Sequence, residues 1–289
     1  MSSGSTLEKV KKLREITGVG FKDCKNAIDE NNGDIEKSIE FLRKKGIAKA
    51  SKRMERIAAD GLVCVSENEN SYSIIEVNSE TDFVAKNIEF IQFVEKISNI
   101  TLKAQGKMEK ILEYKMDNGK NVKDNLVALI SKIGEKISLR RSDFIKSDNL
   151  INFSYTHSAI KNNLGKIGVL ISLKSTRNKN ELLEFGRHLC MHVAAMAPMS
   201  LDKSDFNDEL LNKEKEIITE ELKNTGKKQE IIDKIANGKL NKFINDNTLL
   251  NQEWVMEPKK KVKDVIKEIA GENKLEIIRF IRFKVGEGV

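Results

Sequence analysis

Proline is almost absent: Pro198 and Pro258 are the two in 289 residues, so long helices are permitted over nearly the whole chain. Cys24, Cys64 and Cys190 are odd in number and far apart, and no disulfide framework follows from them. Aromatic residues make up 6% with one Trp, which leaves few stacking surfaces for single-stranded nucleic acid. No apolar run approaches the roughly 18 residues of a membrane helix, and Met1-Ser2-Ser3-Gly4-Ser5 has no apolar core for secretion. A cytoplasmic protein without membrane association is expected.

Hydrophobic residues are 39% and charged residues 33%, more charge than the roughly 25% of an average globular protein and too much apolar content for a natively unfolded one. The net charge of +7 comes from 51 basic and 44 acidic residues interleaved along the sequence, which permits an acidic partner without demanding nucleic acid.

Three short helices are expected first, Leu7 to Ile16, Phe21 to Glu30 and Ile35 to Lys45, punctuated by Gly18, Gly20 and Gly33, capped at Asp34 and stopped at Gly46. Lys49 to Arg56 reads as a linker or exposed helix. Strands at Leu62 to Val65 and Tyr72 to Val77 form a hairpin around Ser66 to Asn70. A loop from Asn78 to Lys86 leads into a helix near Asn87 to Leu102, with Ile88, Ile91, Val94 and Ile97 along one face; a helix near Lys123 to Lys132 and a strand near Glu135 to Ile145 follow. The same order then returns with strands at Leu150 to Tyr155 and Ile167 to Leu173, helices at Asn180 to Met196 and Val262 to Ala270, and a strand at Leu275 to Val285. Between them, Leu210/Leu211 and Ile217/Ile218 recur at a heptad spacing, and a break at Thr225-Gly226 turns the insertion into an antiparallel helical hairpin.

The fold class is therefore α+β: an N-terminal three-helix module with its linker (1–56), a core of two subdomains with small antiparallel sheets (57–146, then 147–200 with 250–289), and an inserted hairpin (201–249) suited to self-association as a homodimer or to a partner.

Signals for catalysis are weak. Every Gly-Lys pair lacks the upstream glycine of a phosphate-binding loop, and Gly18-x-Gly20 follows a helix and lacks a third glycine, so direct nucleotide binding is not expected. His188 and His192 have metal-ligand spacing, but Leu189 stands where a zinc protease needs glutamate, and packing histidines are the favoured reading. Cys24 beside Lys25 reads as a small core residue rather than a nucleophile. No enzyme activity, metal or cofactor is expected. The basic run Lys259-Lys260-Lys261 with Lys263 keeps open an RNA-binding or ribosome-associated alternative.

The distinctive segment is Asn78-Ser79-Glu80-Thr81-Asp82-Phe83-Val84-Ala85-Lys86-Asn87. On physical grounds alone, Phe83 and Val84 would staple the following helix to the core, with Asp82 or Asn87 as its cap.

Thr81-Asp82-Phe83-Val84-Ala85-Lys86 resembles the signature of the bacterial elongation factor Ts family, the guanine-nucleotide exchange factors of elongation factor Tu. So do Leu13-Arg14-Glu15-x-Thr17-Gly18, Asn32-Gly33-Asp34, Ala58-Ala59-Asp60-Gly61, Ile133-Gly134-Glu135, Ser154-Tyr155-x-His157, Met191-His192-Val193-Ala194-Ala195 and Phe280-Ile281-Arg282-Phe283, in the family's order. The resemblance implies a ubiquitin-associated-like first module and binding to elongation factor Tu. It also implies a role for Phe83 as a wedge, and for Asp82 as its anchor, beside the partner's magnesium and phosphate site. Thr81 and Val84 flank that pair; Arg14, Phe21, Lys22 and Lys25 match contact positions in the first module, and Ile133, Gly134 and His157 match contact positions in the core. Phe21 and Lys22 stand where some members carry methionine.

Overall fold

The computed structural model describes residues 6–17, 19–53, 55–223 and 228–289. Gly18 and the Thr225-Gly226 break lie outside the described residues. Helices α1 (Thr6–Thr17), α2 (Phe21–Glu30) and α3 (Ile35–Arg53) close on Val10, Leu13, Cys24, Ala27, Ile28 and Leu42. Asp34 Oδ1 accepts the Lys37 N–H at 3.0 Å, the expected cap. Gly46 does not end the third helix. It lies inside α3, which runs on to Arg53 and so takes in much of the stretch expected as a linker or exposed helix, and a Cβ there would come within 2.6 Å of Ser131 Oγ. The glycine is required by close packing of one helix on another, not by a left-handed turn. The Arg43 guanidinium donates to Asp124 Oδ2 at 3.0 Å and that of Arg53 to the Ile130 carbonyl at 2.8 Å, on the same side.

The antiparallel pair β1 (Asp60–Asn68) and β2 (Ser71–Ser79) runs in register from Asp60 opposite Ser79 to Asn68 opposite Ser71. The connection is two residues, Glu69-Asn70, tighter than the expected turn, and Asn68 Oδ1 accepts from Asn70 N–H at 3.0 Å and Ser71 Oγ at 2.9 Å. A four-residue helix, α4 (Asp82–Ala85), interrupts the expected loop before α5 (Ile88–Lys103). Phe90, Ile91, Val94, Ile97 and Ile100 bury the inner face of α5, whereas Ile88, in its first turn, is exposed. Then come α6 (Met108–Glu113), which the sequence reading did not include, α7 (Val122–Ile133) and β3 (Ile137–Lys146).

The second copy follows as β4 (Ile151–His157), β5 (Leu164–Gly165), β6 (Ile167–Ser175) and α8 (Leu183–Met196), the hairpin α9 (Asp208–Lys223) and α10 (Gln229–Asn247), then α11 (Val262–Ala270) and β7 (Leu275–Lys284). The sheets are ordered β3-β2-β1-β5 and β4-β6-β7. Leaving aside the short β5, which joins the edge of the first, both list the strands of one copy in sequence order, so the repeat extends to topology. Ile218, Leu222, Ile232 and Ala236 form the hairpin's seam, with Leu210, Ile217 and Ile231 exposed.

The chain divides into two compact units. The first takes in the described residues up to Phe144 together with Ser158–Ile167 and Phe283–Val289; the second is Ile145–His157 with Gly168–Arg282. Deep in the first unit lies one carboxylate, Glu76, with no solvent exposure. Its oxygens accept from Arg140 at 3.0 Å, Arg141 at 2.6 Å, Asn78 Nδ2 at 3.0 Å and the Gly286 N–H at 2.9 Å. Gly286 has φ +73°, and a Cβ there would meet the Ala59 carbonyl at 2.1 Å, so only glycine brings that N–H in. Burial alone would raise the Glu76 pKa, but these donors together outweigh it and hold the carboxyl below its ordinary value.

Removing this charge while keeping the side chain's shape leaves two arginines donating to a neutral group. Glu76→Gln is expected to lower stability by about 3 kcal/mol in urea unfolding at pH 7. The stabilisation is complete above the ordinary glutamate value of 4.5 and is lost as pH falls through the lowered native value, so the gap between variant and wild type should close in acid.

Candidate functional site

Phe83 is 80% exposed, yet the next two side chains, Val84 and Ala85, are buried in the core of the first unit. The expected staple is thus carried by Val84 alone, and the phenyl ring points the other way. Asn87 supplies the cap, its Oδ1 accepting from the Glu89 N–H at 2.8 Å and the Phe90 N–H at 3.4 Å. Asp82 does not cap α5. Its carboxylate takes the Lys86 ammonium at 2.7 Å, one helical turn on, and that hydrogen bond holds it below the usual carboxylate range while raising Lys86.

Ile133 and Gly134 lie beside this segment. Phe83, Val84, Asn87, Ile88, Glu89, Lys132 and Ile133 line one open recess. Gly134 takes φ +93° as the left-handed end of α7, with its N–H on the Ile130 carbonyl at 2.9 Å. That turn sends the chain back along the loop before α4. Thr81, Asp82, Phe83, Val84, Ile133 and Gly134 are therefore brought together by the first unit.

Arg14, Phe21, Lys22 and Lys25 are exposed on the outer faces of α1 and α2. Phe21 opens α2 and is 42% exposed. His157 ends β4 in the second unit, where its Nδ1 lies 3.0 Å from Tyr155 Oη.

The structure also brings in residues that sequence reasoning did not single out. The Glu80 carboxylate accepts the Lys136 N–H at 2.6 Å, and that of Glu135 accepts the Thr81 N–H at 3.1 Å. Glu135 stood within a quoted motif, but nothing local marked it as a partner of Thr81. Ile88 and Glu89, which line the recess, were assigned only to a helix.

The other candidates are engaged in structure. His192 is buried and stacked on Trp254 with ring centroids 5.2 Å apart; its Nε2 donates to Gln252 Oε1 at 3.0 Å and its Nδ1 accepts the Val255 N–H at 3.2 Å. Both nitrogens being occupied, it is unsuited to a metal, and burial lowers its pKa. Among the described residues, no three His, Cys, Asp or Glu gather as a metal site, and no helix is long and apolar enough to cross a membrane. In the basic run, the Lys260 ammonium is held by Glu257 at 3.2 Å and Glu268 at 2.8 Å, and that of Lys263 donates to Asn251 Oδ1 at 3.0 Å, which reduces the field available for phosphate.

Comparison with known proteins gives a direct result. A family model described as Elongation factor TS matches residues 80–287. The elongation factor Ts of Xanthobacter autotrophicus is 42% identical over 283 residues, covering 97% of this chain and 92% of that protein. That of Rhodospirillum rubrum is 41% identical over 285 residues (97% and 92%), and that of Paracoccus denitrificans 41% over 285 residues (98% and 93%).

Burial pushes all three thiols up, Cys64 to about 11. At pH 8 a disulfide reagent should therefore modify none of them rapidly in the native protein and all three after denaturation. Fast modification of Cys24 in the folded chain would contradict its placement in the module's core.

Proposed function

Because the chain belongs to the elongation factor Ts family, translation elongation factors that exchange guanine nucleotide on elongation factor Tu, we propose that it acts through Phe83, anchored by Asp82. The observation that carries this reading is the 80% exposure of a phenylalanine whose next two neighbours are fully committed to the core. An apolar ring held in water beside a recess favours insertion into a partner, since burying a Phe side chain contributes about 1.5–3 kcal/mol.

The partner's grip on GDP depends on a Mg²⁺ ion and on backbone N–H groups held in strict geometry. A ring wedged beside them need displace these groups only slightly for GDP to leave. No covalent bond is made or broken, and the factor emerges unchanged. Coupling is reciprocal, so incoming nucleotide weakens the factor's own hold by the same free energy and releases it. The further contacts in this reading are Arg14, Phe21, Lys22 and Lys25 on the helical module, Thr81, Ile133 and Gly134 around the wedge, and His157 in the second unit; Val84, expected among them, is buried in the core and serves as the anchor of α4 instead. The chain itself binds no nucleotide in this reading, and it works in the cytoplasm.

The test is release of a fluorescent GDP analogue from the cognate elongation factor Tu under excess unlabelled GDP. The wild type should accelerate release, and Phe83→Ala should remove about ten- to a hundredfold of that acceleration at saturating factor, the equivalent of one buried phenyl ring. Phe83→Leu should fall between them. Full acceleration by Phe83→Ala would overturn the assignment.

A further inference from the structure

We propose that Glu135 is a positioning residue for exchange: together with Glu80 it forms a crossed carboxylate clamp that keeps Phe83 presented, an inference that rests on the Phe83 reading. A helix of four residues cannot hold its own shape, because one turn fixes several dihedrals for few hydrogen bonds. Helix α4 is also poorly capped, since Thr81 at its N-cap gives no side-chain hydrogen bond to it. That hydroxyl is instead turned to Glu135, 2.9 Å from Oε1 and 3.1 Å from Oε2, and the Thr81 N–H donates to the same carboxylate at 3.1 Å.

The second half of the clamp runs the opposite way. The Glu80 carboxylate accepts the Lys136 N–H at 2.6 Å and lies 3.2 Å from an Arg56 guanidinium nitrogen. Consecutive residues 80 and 81 thus exchange bonds with consecutive residues 135 and 136, which begin just past the left-handed Gly134. Bonds from N–H and O–H to ionised carboxylates are the strong ones, and both of these carboxylates are only partly exposed. On the far side of Phe83, Val84 and Ala85 are buried and Asn87 caps α5. The ring is therefore flanked by a clamp before it and by packed side chains after it.

Without Glu135 the start of α4 loses three contacts, and only a fraction of molecules presents Phe83 at any moment. The effect on exchange scales with that fraction, while binding through the other surfaces continues.

The test measures analogue release at varied factor concentration, with single and double variants. Glu135→Ala should lower the rate at saturating factor severalfold, with about tenfold as the ceiling that loss of one charge-assisted hydrogen bond from the presenting state sets, and with the half-saturating concentration changed by less than about twofold. Glu135→Gln, which keeps an acceptor for Thr81, should recover most of the loss. The decisive arm is the double variant: Phe83→Ala with Glu135→Ala should be no slower than Phe83→Ala alone, because Glu135 acts only through the ring. A wild-type rate for Glu135→Ala alongside a slow Phe83→Ala overturns the clamp, as do losses that multiply in the double variant. A wild-type rate for Phe83→Ala overturns the Phe83 reading first, and the clamp with it. If Glu135→Ala does not fold, Glu135→Gln carries the same cycle with a smaller single effect.

Discussion

A charge placed where water cannot reach must be answered by the protein, and in the first unit the answer to Glu76 involves distant parts of the chain. Its carboxylate draws in two arginines from β3, an amide from its own strand and a backbone N–H from near the C-terminal end. Arg141 lies over the Phe283 ring at 4.4 Å and donates to the Lys284 carbonyl at 3.1 Å, so the last two residues of β7 are held as well. The same network leads toward the site. Asn78, which binds Glu76, also donates to the Asp60 carbonyl at 3.0 Å, and the Ser79 hydroxyl next to it bonds the Thr81 carbonyl at 3.0 Å. From there Thr81 passes to Glu135.

The site on this base follows a division of labour between neighbouring side chains. Val84 and Ala85 give α4 its attachment, Asn87 starts α5, and Phe83 is left free of both duties. Exposure of a large apolar group is costly in isolation, and here the residues on either side of the ring are already committed to contacts of their own, Thr81 to Glu135 and Val84 and Ala85 to the core. Rigidity near Phe83 and its accessibility thus have one cause.

Much of this was legible from residue order. The doubled plan, the hairpin pattern around Asn68, the cap at Asp34 and the helical insertion all depend on spacing within a few residues, where period and turn chemistry are informative. Three features were not legible for definite reasons. Helix α4 is shorter than any period, so nothing in Asp82-Phe83-Val84-Ala85 says which of two adjacent apolar residues turns inward. Glu135 meets Thr81 across 54 positions, and only the folded path of α7 and Gly134 joins them. Gly46 followed by polar residues has the form of a helix stop, and only the neighbouring Ser131 explains why glycine is needed within the helix. The resemblance to known exchange factors implied an outward role for Phe83, whereas physical reasoning on the segment alone favoured packing inward; the ring is exposed.

The unbroken α3 changes how the first module is joined to the rest of its unit. Nineteen residues of helix span roughly 28 Å, and α3 is fastened along its length at Arg43, Gly46 and Arg53. A module on a flexible tether would search space on its own, and its help in binding would be an effective concentration set by tether length. A strut has no such search. The conformational entropy of aligning the module is lost when the chain folds rather than when a partner arrives, so the faces of α1 and α2 take part in an encounter already aligned or not at all.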